Sequence, residues 1–168
     1  MARRLEDAGV AAVAMHPRAA TQFYRGRADH ELTARVVQAV SVPVIASGDV
    51  WSWEIARTIL AESGAAALMA ARGVLGNPWL IHELLEGRAR ERPALAVAVA
   101  DLLELLEQAR GHFGPERATP WIRKHLTWYL QPYPVSGTVV HELRKCPDYQ
   151  ALVEALERLP GSCGPQAV

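Results

Sequence analysis

The sequence predicts an α/β fold built on parallel strands and followed by a helical region. Three observations carry this. Short apolar runs alternate with amphipathic stretches over the first half of the chain. The runs are apolar throughout, as in strands covered on both faces. Beyond a charged linker the pattern changes, and apolar residues recur only at helical spacing.

Residues 10–15 (VAAVAM) read as a buried strand that ends at His16-Pro17-Arg18. Residues 29–40 read as a helix with Leu32, Val36, Val37 and Val40 on one face and Asp29 as its cap. Residues 43–46 read as the second strand, ending in Ser47-Gly48-Asp49. Residues 52–62 form the next helix, with Ile55, Ile59 and Leu60 inward and Gly64 as its stop. Residues 66–70 are the third strand, ending at Arg72-Gly73. Strands spaced by roughly 20–30 residues with helices between them are the pattern of parallel βαβ units.

Residues 80–86 suit a helix, and residues 87–93 (GRARERP) are a charged linker and the best domain boundary. Residues 94–113 repeat Leu95, Val99, Leu102, Leu106 and Ala109 at helical spacing; residues 118–130 repeat Ala118, Ile122, Leu126 and Tyr129. Residues 139–144 and 148–159 read as two shorter helices. The expected organisation is a parallel α/β segment over 1–86, a small all-helical domain over 94–160 and a frayed, disordered tail over 161–168.

Composition excludes some classes. Lys plus Arg number 18 and Asp plus Glu number 18, so no global charge draws the chain to nucleic acid or membrane. The balance hides an asymmetry: residues 110–145 hold six Lys or Arg and three His against two acids, which allows a local basic surface. The two cysteines, Cys146 and Cys163, have no metal-ligand spacing and suggest no disulfide framework. No apolar run approaches the roughly 20 residues of a membrane-spanning helix. The N-terminus lacks the apolar core of a signal peptide. The expected location is cytoplasmic.

The unusual residues sit where the strands end. In parallel α/β folds ligands bind at the C-terminal ends of strands. Glycine there lets a group approach the backbone, and the N–H groups of a following helix favour an anion. Ser47-Gly48-Asp49 and Ala71-Arg72-Gly73 occupy matched positions on successive strands. Two such loops side by side form the usual phosphate cradle after the last two strands of a (β/α)8 TIM barrel. The fold class expected is therefore the C-terminal part of such a barrel, about three parallel βα units, followed by helices. Sugar phosphates, flavin mononucleotide and nucleotides all use this cradle. The duller reading makes Gly48 and Gly73 mere turn residues.

In order and spacing, these motifs resemble the C-terminal half of tRNA-dihydrouridine synthases, flavin enzymes that reduce uridine in tRNA. Members carry His-Gly-Arg, then Gly-Asp, then Gly-Arg-Gly with a later Gly-(Asn/Arg)-Pro-Trp. The counterparts are His16-Pro17-Arg18, Gly48-Asp49, Ala71-Arg72-Gly73 and Gly76-Asn77-Pro78-Trp79. The stretch from Phe23-Tyr24 through Gly26 to Ala28-Asp29 is similar to family sequences, and an Arg-Lys-His block recurs as Arg123-Lys124-His125 before Trp128-Tyr129. The resemblance runs from about Leu5 to Leu159.

It implies an FMN site, with NAD(P)H as reductant and tRNA as partner. His16 would sit on the ribityl or phosphate side, with Arg18 in the same strand-end motif. Backbone N–H groups near Ser47, Gly48, Asp49, Ala71, Arg72 and Gly73 would hold the phosphate, and the Arg72 side chain would add a charge-assisted bond. The helical region would bind tRNA through Arg123, Lys124 and His125. Pro17 stands where the family has Gly, which stiffens that loop and removes an N–H; Ala71 replaces another Gly and slightly narrows access to the backbone, and Ser47, where members often have Asn, is a milder change.

A complete barrel has eight strands in about 250 residues, and three strands are legible here. The family's catalytic cysteine and a flavin-contacting lysine lie in the earlier half. Cys146 and Cys163 fall in the helical region and the tail, and the only lysines are Lys124 and Lys145. The chain is expected to be a C-terminal segment, starting near the helix before the sixth strand, and inactive alone. An open half barrel would self-associate or pair with a partner.

Residue by residue, other readings stay open. His16 and Arg18 suit a catalytic pair or, more plainly, ligand positioning. Trp121 and Trp128 share a helix face with Lys124 and His125, which suits RNA stacking or simple packing. A non-catalytic phosphate- or RNA-binding half-barrel module is the alternative function. A third option is a different phosphate-binding barrel, against which the basic helix argues.

Overall fold

The computed structural model describes residues 1–23 and 25–162. It divides into two compact units: residues 1–74 with 78–90, and residues 75–77 with those from 91 onward. Among the described residues no helix is long and apolar enough to cross a membrane.

The first unit opens with α1 (Ala2–Asp7), a helix ahead of the first strand, where the sequence places the start of the chain. It continues through β1 (Val13–Met15), α2 (His30–Ala39), β2 (Val44–Ser47), α3 (Trp53–Ser63), β3 (Ala67–Met69) and α4 (Leu80–Glu86). The strands form one parallel sheet in the order β1-β2-β3. Met15 pairs with Ala46, and Ser47 with Met69, so the three C-terminal ends lie in one row. Short 3₁₀ turns at Ala20–Gln22 and Arg72–Val74 follow the outer strands.

Each helix starts and stops for a local reason. The Asp29 side chain accepts from Glu31 N–H at 3.1 Å at the head of α2, and Ser52 Oγ accepts from Ile55 N–H at 3.4 Å at the head of α3. Side-chain oxygens there satisfy donors that the first turn leaves open. Gly64 and Gly87 end α3 and α4 in the left-handed region.

Among the described residues one face of the sheet is packed, and on the other only Ser47, at a strand end, is buried. Val13, Val44 and Ala46 are buried, and Ala46 belongs to a core with Val50, Ala56, Ile59 and Ala65, against which Leu68 packs. The alternate positions Ala14, Ala67 and Met69 are exposed, Met69 by 47%. The expectation of strands buried on both faces is thus corrected: apolar residues occupy both faces, and elements of this unit cover one. The inward set of α3 also shifts. Ala56, Ile59 and Ser63 are buried, while Ile55 is 40% exposed. At 100° per residue, Ile55 lies beyond the edge of that stripe. On α2 the buried residue is Thr33, and Leu32, Val36 and Val37 are half-buried.

The second unit contains α5 (Leu95–Phe113), α6 (Pro115–Leu130), α7 (Gly137–Lys145) and α8 (Tyr149–Ser162). Gly114, at φ +81°, is the single residue between α5 and α6, and Pro115 opens α6. Val99, Leu102, Leu106 and Ala109 pack with Ala118, Ile122, Leu126 and Tyr129 in the core, and Leu152 and Leu156 of α8 are buried too. Tyr129 donates to Asp101 at 2.5 Å; burial, then that carboxylate, pushes its hydroxyl pKa well up. Gly76, at φ +70°, belongs to this unit, and a Cβ on it would stand 2.2 Å from the Trp128 carbonyl oxygen. α8 continues two residues into the tail expected to fray; residues 163–168, Cys163 among them, lie outside the described residues, as does Tyr24.

Candidate functional site

The row of strand ends is the candidate site. β1 delivers His16, Pro17 and Arg18; β2 delivers Ser47, Gly48 and Asp49; β3 leads to Ala71, Arg72 and Gly73. His16, Ser47, Gly48, Asp49, Ala71, Arg72 and Gly73 line one cavity of about 290 Å³, together with Val50 and Trp51.

Arg18 has a different place. Its side chain is 2% exposed and lies against a larger adjoining cavity of about 730 Å³. Its Nη2 donates to both Asp49 carboxylate oxygens, at 2.6 and 2.7 Å, and to the Gly26 carbonyl at 3.0 Å. Among the described residues its Nε and Nη1 are buried and have no hydrogen-bond partner. Asp49 also accepts from the Ala28 N–H at 2.6 Å, and Arg72 Nη2 stands 3.8 Å from its Oδ1. Burial raises the Asp49 carboxyl pKa. The Arg18 hydrogen bond, the Ala28 N–H and the two arginine charges outweigh it, and hold the group below the usual carboxylate value. Arg18 and Arg72 thus both flank the Asp49 carboxylate.

The backbone of the β2 loop is unusual. Gly48 has φ +112°, and Asp49 has φ +57°, a left-handed conformation rare outside glycine and asparagine. Gly73 has no room for a side chain: a Cβ would lie 1.9 Å from the Val50 carbonyl oxygen. The close approach that glycine permits there is to the neighbouring loop. Exposed His16 stacks at Gly48, where a Cβ would meet its ring at 3.2 Å.

Three participants escaped the sequence reading. His30, on α2, places Nε2 3.1 Å from the Gly48 carbonyl oxygen, and the Arg72 guanidinium lies 5.1 Å from the Trp51 ring centroid. The Ala28 N–H is the third. Trp51 could have been found from its position beside the loop; His30 lies 18 residues from Gly48 and gives no local signal.

On α6, Arg123, Lys124 and His125 have separate environments. Arg123 Nη2 donates to the Cys146 carbonyl at 2.7 Å, satisfying the end of α7. Lys124 is exposed and stands 4.7 Å over the Trp121 ring. The His125 ring lies 4.7 Å from Trp121; burial, then the Lys124 charge, lowers its pKa. Trp128 is 42% exposed, so the packing reading suits it poorly. Burial raises the Cys146 thiol pKa, which disfavours the thiolate. Among the described residues no group of three or more His, Cys, Asp or Glu is placed to hold a metal.

A parallel α/β unit with charged and glycine-rich strand-end loops beside a cavity, joined in one chain to a helical unit, defines a class of α/β proteins. The comparison with known proteins narrows it. The dihydrouridine synthase (Dus) family model matches residues 1–161, and the chain belongs to that family. It is 34% identical over 161 residues to tRNA-dihydrouridine synthase B of Xanthomonas axonopodis pv. citri, covering 94% of this chain and 46% of that protein. It is 37% identical over 149 residues to a Synechocystis protein named "Probable tRNA-dihydrouridine synthase 1", covering 84% and 41%. The chain therefore spans less than half the length of these relatives.

Proposed function

We propose that this chain is the phosphate-holding and tRNA-contacting part of an FMN-dependent reduction of uridine to dihydrouridine in tRNA, with NAD(P)H as reductant. The observation that carries the proposal is the convergence of three strand-end loops on one cavity, lined by His16, Ser47, Gly48, Asp49, Ala71, Arg72 and Gly73, with Arg18 holding Asp49 from the adjoining cavity. Membership of the dihydrouridine synthase family supports this choice of reaction.

The residues fit an anionic group. Two arginines, Arg18 and Arg72, flank one carboxylate, and among the described residues Arg18 keeps two buried donors without partners. Ser47, Gly48, Ala71 and Gly73 line the cavity. Their backbone N–H groups and the Arg72 guanidinium would hold the phosphate of FMN, and His16 would bound its ribityl side. When bound, the flavin supplies hydride chemistry, carrying reducing equivalents from NAD(P)H to a uracil ring. This chain's residues bind and orient it.

The three strands are then the last of a (β/α)8 barrel, and the exposed face with Ala14, Ala67 and Met69 is the face a barrel turns inward. By resemblance, the proton-donating cysteine and the flavin-contacting lysine belong to the earlier strands. This chain alone is inactive, and self-association or a partner covers the open face. Lys124, with Trp121 and Trp128 beside it, contacts tRNA by charge and stacking. The location is cytoplasmic.

The test is reconstitution of the purified chain. With FMN, NAD(P)H and unmodified tRNA it yields no dihydrouridine, and turnover by the chain alone would refute the division of labour. In equilibrium titration FMN binds more tightly than riboflavin, which lacks the phosphate. Equal affinities would remove the phosphate site. Salt-sensitive tRNA binding without any flavin binding would instead favour the non-catalytic RNA-binding module.

A further inference from the structure

We infer that His30 is a positioning residue for the anion site: through the Gly48 carbonyl it sets the direction of the Asp49 N–H. The inference rests on the phosphate reading above and deepens it, since neither the sequence motifs nor family membership gives His30 a role.

The peptide between Gly48 and Asp49 is trans, as are all others among the described residues. In a planar trans peptide the carbonyl oxygen and the following N–H point to opposite sides. The Gly48 oxygen lies 3.1 Å from His30 Nε2. A carbonyl only accepts, so Nε2 carries the proton. His30 Nδ1 is 3.4 Å from the hydroxyl of Thr33, one turn along α2 and fully buried, which holds the ring from behind. With its oxygen held toward His30, this peptide turns the Asp49 N–H away from it. His30 borders the larger cavity and takes no part in the smaller one, which Gly48 and Asp49 both line. The N–H is thereby aimed to the side where Ser47, Ala71, Arg72 and Gly73 gather.

The backbone needs such a hold. Gly48 at φ +112° and Asp49 at φ +57° lie outside the regions favoured by ordinary residues, and a glycine can turn its peptide over at little steric cost. Arg18 and the Ala28 N–H restrain the Asp49 side chain. Neither touches the peptide plane. His30 restrains that plane.

The experiment uses the full chain with FMN and riboflavin as paired probes, and ¹⁵N-edited NMR of the Gly48 and Asp49 amides. His30→Ala lowers the preference for FMN over riboflavin by about tenfold, the scale of one hydrogen bond to a charged group, and leaves riboflavin affinity unchanged. The Asp49 amide resonance shifts or broadens, while the β1 and β2 amides stay in place. His30→Gln, whose terminal amide can donate to the same carbonyl, restores much of the preference. An unchanged FMN preference in His30→Ala would overturn the inference. So would an equal loss for both flavins without rescue by glutamine, because that marks a role in folding alone. If the wild-type chain shows no preference for FMN, the phosphate reading itself fails. The Asp49 amide then still reports, without ligand, whether His30 holds the peptide, and an undisturbed amide refutes the hold.

Discussion

Asp49→Asn tests the centre of the site. The Arg18 guanidinium is 2% exposed, and its Nη2 is held by both Asp49 oxygens at 2.6 and 2.7 Å. Asparagine keeps the shape, tolerates the left-handed backbone at this position, and still offers one acceptor to Arg18 or the Ala28 N–H. What it removes is the charge that offsets a buried cation. Breaking a buried pair from one side costs roughly 3–5 kcal/mol, and the retained acceptor and partial exposure of Asp49 place this change near the low end, about 3 kcal/mol. The assay is urea unfolding of the full chain, with hydrogen exchange at the β1–β2 amides to isolate the first unit from the second. Arg18→Met combined with Asp49→Asn removes the orphaned charge, so the double variant is more stable than Asp49→Asn alone by about 1 kcal/mol or more. The pH dependence has a definite sign. The folded carboxyl pKa lies below its ordinary 3.8. Its contribution is therefore complete above that value and is lost as pH falls through the folded pKa. Asp49→Asn abolishes that part of the acid slope. A cost below about 1 kcal/mol, or a double variant less stable than the single, would refute the account of Arg18 as a buried cation held by Asp49.

Three further outcomes follow from particular contacts. Gly73→Ala forces a Cβ onto the Val50 carbonyl oxygen, which destabilises the first unit by about 2–3 kcal/mol and shows as faster exchange at the β2 amides. Tyr149→Phe raises the Glu107 carboxyl pKa from about 2 toward its ordinary 4.5, because Tyr149 and Arg110 both donate to it; carbon-detected NMR titration reads the shift, and Arg110 keeps part of the depression. Lys124→Ala weakens tRNA binding and reduces the slope of log affinity against log salt by about 1, whereas Arg123→Ala chiefly loosens the end of α7, seen as faster exchange there.

The helical unit was the more legible half. Its stripes, Val99 to Ala109 and Ala118 to Tyr129, are buried, because two long helices packed on each other show their shared face in a 3.6-residue period; Leu95, at the head of the first, is half-buried. In the first unit the alternation of strand and helix was readable, but burial was not. The strands are apolar except for Ser47 at the end of β2, which is itself buried, so no polar residue marks Met69 and Ala14 as exposed. The error at Ile55 has the same origin: Ala56 and Ser63 pack inward because they are small, and a reading by hydrophobicity prefers the larger neighbour. At the site, glycine and charge marked the loops. They did not show that Arg18 spends its guanidinium on Asp49, since a pair 31 residues apart depends on the β1–β2 register.

That register also explains why a strained residue stands at the end of β2. Asparagine or glycine would adopt φ +57° more cheaply than aspartate. Aspartate is favoured by what the neighbouring strand end and loop present: the Arg18 side chain, which needs a charge of opposite sign, and the Ala28 N–H, which needs an acceptor. Satisfying both fixes the side chain, and fixing the side chain holds the backbone in the left-handed region. His30 then acts on the one remaining freedom, rotation of the Gly48–Asp49 peptide. The conformational cost at Asp49 is offset by bonds to two segments that precede it in the chain. A loop held in this way presents its N–H groups in one arrangement before any ligand arrives, so a bound anion spends little of its binding energy on ordering the loop.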